Sequence, residues 1–197
     1  MLTDRFALAL SMAEQLHRGQ TRKGNEVPYV AHLLAVAASV LEWGGDEDTA
    51  IAALLHDAVE DQGGLEIAAR IRAEFGTDVA DTVLHCSDSV TADGADKAPW
   101  FERKTAYLQR LRTADRAAAM VTLADKLHNI RATIRDLRRD GPETLSRFNE
   151  PGQLAWYYRS VVEALTESHA NLPALAELTE AVAEYDELVA SQSLARS

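Results

Sequence analysis

Apolar residues recur at helical spacing along most of the chain. Residues 3–18 carry them mostly three or four positions apart, and Thr3 or Asp4 is available as an N-cap. No run alternates between apolar and polar residues over the length of a strand, and no repeat recurs at a fixed period. The pattern therefore predicts an all-α protein, an irregular bundle of about eight to ten helices.

Glycine, proline and polar stretches divide the chain into these helices. The second helix starts at Pro28 and ends near Trp43, and the third runs from residues 46–48 through 50–59 to the Gly63-Gly64 pair. The later helices are predicted at residues 65–75, 78–87, 100–112, 115–139, 152–169 and 172–190. Residues 88–98 are predicted as a polar loop, residues 1–190 as a single domain and residues 191–197 as a frayed tail.

Composition narrows the classes of function. Hydrophobic residues make up 47% and charged residues 26%, which is the balance of a soluble globular protein. The net charge of −11 argues against a broad surface for nucleic acid, so an anionic ligand would need local cationic contacts. The sequence has no apolar stretch of membrane-spanning length and no signal sequence, so a cytoplasmic protein is expected. Cys86 stands alone and is expected to be a packing residue.

Four residues that could bind a metal ion or transfer protons lie at the end of the third predicted helix: His56, Asp57, Glu60 and Asp61. On a continuous helix, residues four apart share a face, so His56 would lie beside Glu60 and Asp57 beside Asp61. A solvated helix end is the alternative interpretation. However, Asp57 follows an apolar run, and three carboxylates at a helix C-terminus oppose the macrodipole, so a bound cation would offset both costs. A divalent ion with such ligands can activate water, which indicates hydrolysis of a phosphoryl bond.

Further candidate ligands are His32 on the second helix and Asp125 on the long helix. Taken alone, His32 is typical of a core histidine. Asp125 falls away from the apolar seam of the long helix, so periodicity alone predicts that Asp125 is solvated. That seam consists of Leu123, Leu127, Ile130, Ile134 and Leu137.

Three motifs together resemble the hydrolase domain of RelA/SpoT-type proteins, and particularly the stand-alone small alarmone hydrolases. The first is HRGQTRK at residues 17–23, followed by Pro28, Tyr29 and His32. The second is HDAVED at residues 56–61, and the third is LADKLHN at residues 123–129. The resemblance extends over residues 6–131. The chain departs from the family pattern in loop 88–98 and in the spacing between Lys23 and His32.

The resemblance implies a role for each matched residue. One manganese ion would be bound by His32, His56, Asp57 and Asp125. Glu60 and Asp61 would position and deprotonate the attacking water. The guanine nucleotide would be held by Arg22, Lys23 and Asn129, while Lys126 and Arg131 are phosphate neighbours by position only.

The implied reaction is hydrolysis of the 3′-pyrophosphate of guanosine tetra- or pentaphosphate, (p)ppGpp, to GDP or GTP and pyrophosphate. A chain of 197 residues has no room for the synthetase domain of larger family members, so degradation alone is expected. Three alternatives stay open: another nucleotide substrate such as the 2′-phosphate of NADPH, a non-catalytic alarmone-binding protein, and an interaction module with a structural metal. The Glu60-Asp61 pair argues against binding without cleavage.

Overall fold

The computed structural model describes residues 1–90 and 97–194, and within these ranges the chain forms ten α-helices. They are α1 (Asp4–Leu16), α2 (Val30–Glu42), α3 (Glu47–Leu55), α4 (Ala58–Gln62), α5 (Gly64–Phe75), α6 (Thr77–Cys86), α7 (Trp100–Leu111), α8 (Arg116–Asp140), α9 (Leu154–His169) and α10 (Leu175–Leu194). Two short 3₁₀ helices, Pro142–Arg147 and Pro151–Gln153, connect α8 to α9. Across residues 1–90 and 97–194, β structure is limited to an isolated bridge between Thr21 and Pro28. The prediction of an all-α fold is confirmed.

Side-chain caps fix the starts of three helices. Thr3 Oγ1 accepts from Arg5 N–H at 3.3 Å, and Asp46 Oδ1 accepts from Thr49 N–H at 2.9 Å. Asp115 Oδ1 accepts from Ala118 N–H at 2.8 Å at the start of α8. Each cap satisfies a backbone donor that has no partner within its own helix, so these short polar residues determine where the helices begin.

The core surrounds α3, in which every residue from Thr49 to Leu55 is buried. Helices α1, α2, α6 and α8 pack against α3, and α8 also packs against α2, α9 and α10. A helix that is apolar on all sides is stable only when neighbours cover it on all sides. This packing places α3 between α2 and α8, inside the hydrophobic core.

The predicted continuous helix through residues 50–59 is wrong, because α3 ends at Leu55 and a turn at His56 and Asp57 separates it from α4. Asp57 has φ −95° and ψ −4°, and a separate helix, α4, begins at Ala58. His56 Nδ1 donates to Ala53 O at 2.8 Å, and a continuous helix would offer this same carbonyl to Asp57 N–H. As a result, the side chains of His56 and Asp57 lie next to each other, with His56 Nε2 3.0 Å from Asp57 Oδ2. On a straight helix they would instead lie beside Glu60 and Asp61.

The C-terminal part of the chain also differs from expectation in detail. Helix α10 continues to Leu194, beyond the end predicted for it at residue 190. Residues 195–197 of the predicted tail and residues 91–96 of the predicted loop 88–98 lie outside the described residues. No helix in the described ranges has both the length and the apolar character needed to cross a membrane.

Candidate metal centre and cleft

Four side chains from three segments meet beside the end of α3. His32 comes from α2, His56 and Asp57 from the turn between α3 and α4, and Asp125 from α8. His32 Nε2 lies 3.2 Å from Asp125 Oδ1 and 3.6 Å from Asp57 Oδ2. His56 Nε2 lies 3.0 Å from Asp57 Oδ2 and 3.7 Å from Asp125 Oδ1. Two imidazole nitrogens and two carboxylate oxygens thus surround one point.

The donor set fits a divalent metal ion. Among the described residues, neither His32 Nε2 nor His56 Nε2 has a hydrogen-bond partner, although both atoms are buried. Ligands about 2.1 Å from one ion and at right angles to each other lie about 3 Å apart, which is close to the separations found here. The ligand atoms of His32, His56 and Asp57 all lie within 4.8 Å of one another. A cation would satisfy both buried nitrogens and both carboxylates.

The protonation states of the centre also suit a cation. Burial disfavours ionisation of Asp57 and Asp125, yet the neighbouring His56 and, for Asp125, Lys126 hold the pKa of each carboxyl well below its usual range. Burial lowers the pKa of His56, but the charge of Asp57 outweighs this effect and raises it, so a metal ion binding at Nε2 would displace a proton from this ring. Both carboxylates are therefore ionised at neutral pH and available as ligands.

Each carboxylate is held in place by a second partner. Tyr29 Oη donates to Asp57 Oδ2 at 2.6 Å, and burial followed by the charge of Asp57 raises the Tyr29 pKa, so the hydroxyl keeps its proton. Lys126 Nζ donates to Asp125 Oδ2 at 2.5 Å, and Asn129 Nδ2 donates to Asp125 Oδ1. Such outer hydrogen bonds orient ligand atoms toward a metal.

Glu60 lies on α4 at the edge of the centre. Its Oε2 accepts from Asp88 N–H at 3.3 Å, and Lys97 Nζ lies 4.0 Å from its Oε1. Burial and the negative charge of Asp88 raise the pKa of Glu60 to about 7, against the opposing charge of Lys104. A carboxyl group with this pKa exchanges protons readily near neutral pH, which is the property of a general base.

Asp61 is held by a chain of amide hydrogen bonds. Gln20 Nε2 donates to Asp61 Oδ2 at 2.9 Å. Gln20 Oε1 lies 2.6 Å from Gln62 Nε2 and 2.7 Å from His17 Nδ1, and its two lone pairs allow it to accept from both. These contacts leave the amide nitrogen of Gln20 directed at Asp61 and fix the carboxylate at the mouth of the centre.

A cleft of about 340 Å³ opens over the centre. Arg22, Lys23 and Asn129 line one wall, and Arg22 Nη2 donates to Asn129 Oδ1 at 2.6 Å. The Arg22 guanidinium carbon lies 5.6 Å from the centroid of the Tyr29 ring. Aromatic side chains, including Trp100, Tyr157 and Tyr158, also line the cleft. The cleft therefore offers cations, amides and aromatic faces to one bound molecule.

The structure brings the predicted site residues together. The cleft is lined by Asp57, Glu60, Asp61, Asp125, Arg22, Lys23 and Asn129. His32 and His56 are buried beside Asp57 and Asp125. Asp125 is only 6% exposed, so the expectation from periodicity that it is solvated is wrong: its face of α8 turns toward the cleft rather than toward bulk water.

The two residues placed only by position have different outcomes. Lys126 lines the cleft, but its Nζ is paired with Asp125. Arg131 does not line the cleft, and its guanidinium forms an ion pair with Glu177 on α10 at 2.5 Å. The prediction that Arg131 lies near a phosphate of the substrate is therefore wrong. Five residues, about 1.4 helical turns, separate Lys126 from Arg131, so their side chains project from α8 roughly 140° apart.

Several contributors to the site were not assigned a role from the sequence. Gln20 and Tyr29 belong to the first motif, and His128 belongs to the third. Their presence in a motif is the feature of the sequence that points to a role in the site. Arg147, Tyr157 and Tyr158, which also line the cleft, lie outside all three motifs. Their position depends on how the 3₁₀ helices and α9 fold over α8, for which the sequence pattern carries no signal.

An all-α fold with a buried centre of two histidines and two aspartates under a polar cleft is that of a metal-dependent hydrolase of the helical His-Asp class. The chain belongs to the HD domain family, which matches residues 9–148, more than half of the sequence.

Individual relatives agree with this membership. The guanosine-3′,5′-bis(diphosphate) 3′-pyrophosphohydrolase of Xenopus tropicalis is 36% identical over 75% of this chain and 78% of its own length. A solved structure of a metazoan orthologue of SpoT, reported to hydrolyse ppGpp, has 29% identity and a TM-score of 0.70 over 98% of both chains. A GTP pyrophosphokinase of Streptomyces coelicolor is 40% identical over 71% of this chain. The chain spans only 16% of that last protein's length.

Proposed function

We propose that this protein hydrolyses the 3′-pyrophosphate of (p)ppGpp, releasing GDP or GTP and pyrophosphate, with manganese as its metal. The observation that carries the proposal is the buried His32, His56, Asp57 and Asp125 centre with Glu60 and Asp61 beside it at one end of a nucleotide-sized cleft. Two relatives of similar length support the choice of substrate, since one is named for this reaction and the other is reported to hydrolyse ppGpp.

His32, His56, Asp57 and Asp125 would hold the ion through the two Nε2 atoms and one oxygen of each carboxylate. When bound, a divalent cation lowers the pKa of a coordinated water and offsets the charge of the phosphates. The two carboxylates suit Mn²⁺, and the two imidazoles are ligands typical of first-row transition metals, so the donor set is compatible with manganese. Tyr29 and Lys126 keep the two carboxylates from turning away from the ion.

Glu60 and Asp61 would handle the attacking water. The reaction breaks the bond between the ribose 3′-oxygen and phosphorus, the water oxygen joins the pyrophosphate, and a proton passes to the 3′-oxygen. Glu60 has a pKa of about 7, so it can take the proton from water and release it again at neutral pH. Asp61, held by Gln20, would orient the water for attack.

Arg22, Lys23 and Asn129 would hold the nucleotide. The guanidinium of Arg22 is planar and fixed by Asn129 on one side, so it offers a flat face to a purine base. Lys23 adds a positive charge on the same wall. Because the chain carries a net charge of −11, these local cations are what would draw a highly anionic substrate into the cleft.

The test is to incubate metal-stripped protein with ppGpp, with and without Mn²⁺, and to quantify GDP and pyrophosphate by ion-exchange chromatography. Manganese-dependent release of both products in equal amounts is expected. Release of phosphate from NADPH in a parallel reaction, without cleavage of ppGpp, would show that the substrate is a different nucleotide. Binding of ppGpp without any product would make it a non-catalytic alarmone-binding protein.

Two variants separate the metal from the water. Asp57→Asn should abolish Mn²⁺ binding measured by titration calorimetry, because it removes a charged ligand. Glu60→Gln should bind Mn²⁺ normally but lose turnover by roughly 10²- to 10⁴-fold, the usual contribution of a general base. Full activity of Glu60→Gln, or metal retained by Asp57→Asn, would contradict the assigned roles.

A further inference from the structure

Both histidines of the centre need a proton acceptor behind the ring. A neutral imidazole binds a metal through its unprotonated nitrogen, while the other nitrogen carries a proton that must be donated to a neighbour. In His56 this nitrogen is Nδ1, which lies 2.8 Å from the backbone oxygen of Ala53. A carbonyl oxygen only accepts hydrogen bonds, so the backbone alone fixes the tautomer of His56.

His32 has a different neighbour. Its Nδ1 lies 2.8 Å from Nδ1 of His128, and the ring is completely buried. Because each imidazole nitrogen can donate or accept, this contact by itself does not determine which ring carries the proton. The proposed metal centre decides between the two. His32 Nε2 faces Asp57 and Asp125 and would need its lone pair to bind the ion, so with a metal bound the proton would be on Nδ1.

We infer that His128 is a positioning residue of the metal centre: its Nδ1 accepts the proton of His32 Nδ1–H and so holds His32 Nε2 unprotonated and directed at the ion. The proton of His128 itself is then on Nε2. This inference rests on the proposed metal centre, but it does not depend on which nucleotide is cleaved.

The position of His128 on α8 gives the arrangement its rigidity. His128 comes three residues after Asp125 and one before Asn129, so all three project from neighbouring positions on α8. The same helix therefore supplies one metal ligand and the acceptor that orients a second ligand on α2. The two rings lie with their centroids 4.8 Å apart and their planes at 36°, so His128 also limits rotation of His32 by direct packing.

Two substitutions separate hydrogen bonding from packing. His128→Phe keeps a ring of similar size but offers no acceptor to His32. His128→Asn places an amide oxygen near the position of Nδ1 and so preserves the acceptor. Loss of such an outer partner typically weakens metal affinity 10- to 100-fold, which is the change expected for His128→Phe, whereas His128→Asn should stay within about threefold of the unmodified protein. His85→Phe, at an exposed histidine on α6, is the matched control and should have no effect.

The experiment is calorimetric titration of Mn²⁺ into chelator-treated protein, with thermal melting of the metal-free variants as the check on folding. Spectra of ¹⁵N-histidine-labelled protein loaded with Zn²⁺ provide a second measurement, in which His128 should be protonated on Nε2. Equal Mn²⁺ affinity of His128→Phe and the unmodified protein would overturn the inference, and so would a proton found on His128 Nδ1. If His128→Phe fails to fold, the Asn variant and the spectra decide.

Failure of this inference differs from failure of the proposed function. Mn²⁺ binding that is unaffected by His128→Phe would remove only the role of His128. Mn²⁺ binding that depends on His128, without cleavage of ppGpp, would leave the role of His128 intact and exclude the proposed substrate. An unmodified protein that binds no divalent ion would remove the metal centre and this inference together.

Discussion

Replacement of Asp88 by asparagine should destabilise the protein and change its pH dependence. Asp88 follows α6, its side chain is 2% exposed, and it forms ion pairs with Arg103 and with Lys104, the latter at 2.5 Å. These two cations are themselves only 15% and 17% exposed. Asp88→Asn would leave both without their counterion, and removing one partner of a buried ion pair typically costs about 3–5 kcal/mol.

The pKa of Asp88 gives an independent magnitude. Burial raises it, but Lys104 and Arg103 outweigh burial and lower it from 3.8 to about 2. A lowering of this size corresponds to roughly 2 kcal/mol of stability. Because the folded pKa lies below the unfolded one, this contribution is fully present above pH 3.8 and is lost as the pH falls through about 2. The part of the Asp88→Asn deficit that comes from Asp88 itself should therefore be constant above pH 3.8 and shrink as the pH falls toward 2.

Urea unfolding of both proteins at pH 7 and at several lower pH values measures this difference. The matched control is Asp81→Asn, which breaks an exposed pair with Arg72 whose side chains are 42% and 54% exposed, and which should cost less than about 1 kcal/mol. A deficit for Asp88→Asn no larger than that of the control, or one that does not change with pH, would refute the reasoning.

The same substitution tests the role of Glu60. The negative charge of Asp88 is, after burial, the largest cause of the raised pKa of Glu60, while Lys104 acts in the opposite direction. Asp88→Asn removes the first influence and keeps the second, so the pKa of Glu60 falls. If Glu60 is the general base, the rising limb of kcat against pH moves to lower pH. An unmoved limb would assign the base to another group.

Further predictions concern the cleft. Arg22→Ala should raise KM about tenfold through loss of a charge-assisted contact, whereas Arg131→Ala, which faces α10, should leave KM unchanged in the same assay. Gln20→Leu should lower kcat with little change in Mn²⁺ affinity, because it frees Asp61; equal losses in both would refute this. Mn²⁺ at 100 times its Kd should stabilise the protein by about 2.7 kcal/mol in thermal melts, an effect that EDTA reverses and that Asp57→Asn lacks.

Periodicity was sufficient to predict the class of fold but not the interruption that forms the site. The seam of α8 and the caps of α1, α3 and α8 predict these helices well, since apolar spacing and capping act locally. The break at His56 and Asp57 depends on the His56 side chain bonding a carbonyl inside the core. Nothing in the spacing of residues 50–59 signals that contact, so a continuous helix was the simpler prediction.

Asp125 illustrates a second reason why periodicity is incomplete. A seam identifies the face of a helix that packs on apolar neighbours, and it treats every other face as exposed to water. In α8, one of the other faces closes the floor of the cleft, where Asp125 is surrounded by His32, His56 and Lys126. A buried polar site and a solvated surface therefore have the same apolar pattern, and only the identity of the polar residues distinguishes them.

The three motifs are best understood through the hydrogen bonds that join them. Motif residues 17–32 and 56–61 are linked by Gln20 with Asp61 and by Tyr29 with Asp57. Residues 17–32 and 123–129 are linked by Arg22 with Asn129 and by His32 with His128. Each of these contacts pairs a candidate ligand, water-handling residue or nucleotide contact with a partner on another segment. Because a buried polar group is costly without its partner, the first segment depends on both of the others. The motifs therefore form a single hydrogen-bonded unit around the centre, which explains why their combination was specific when a lone His-Asp pair was not.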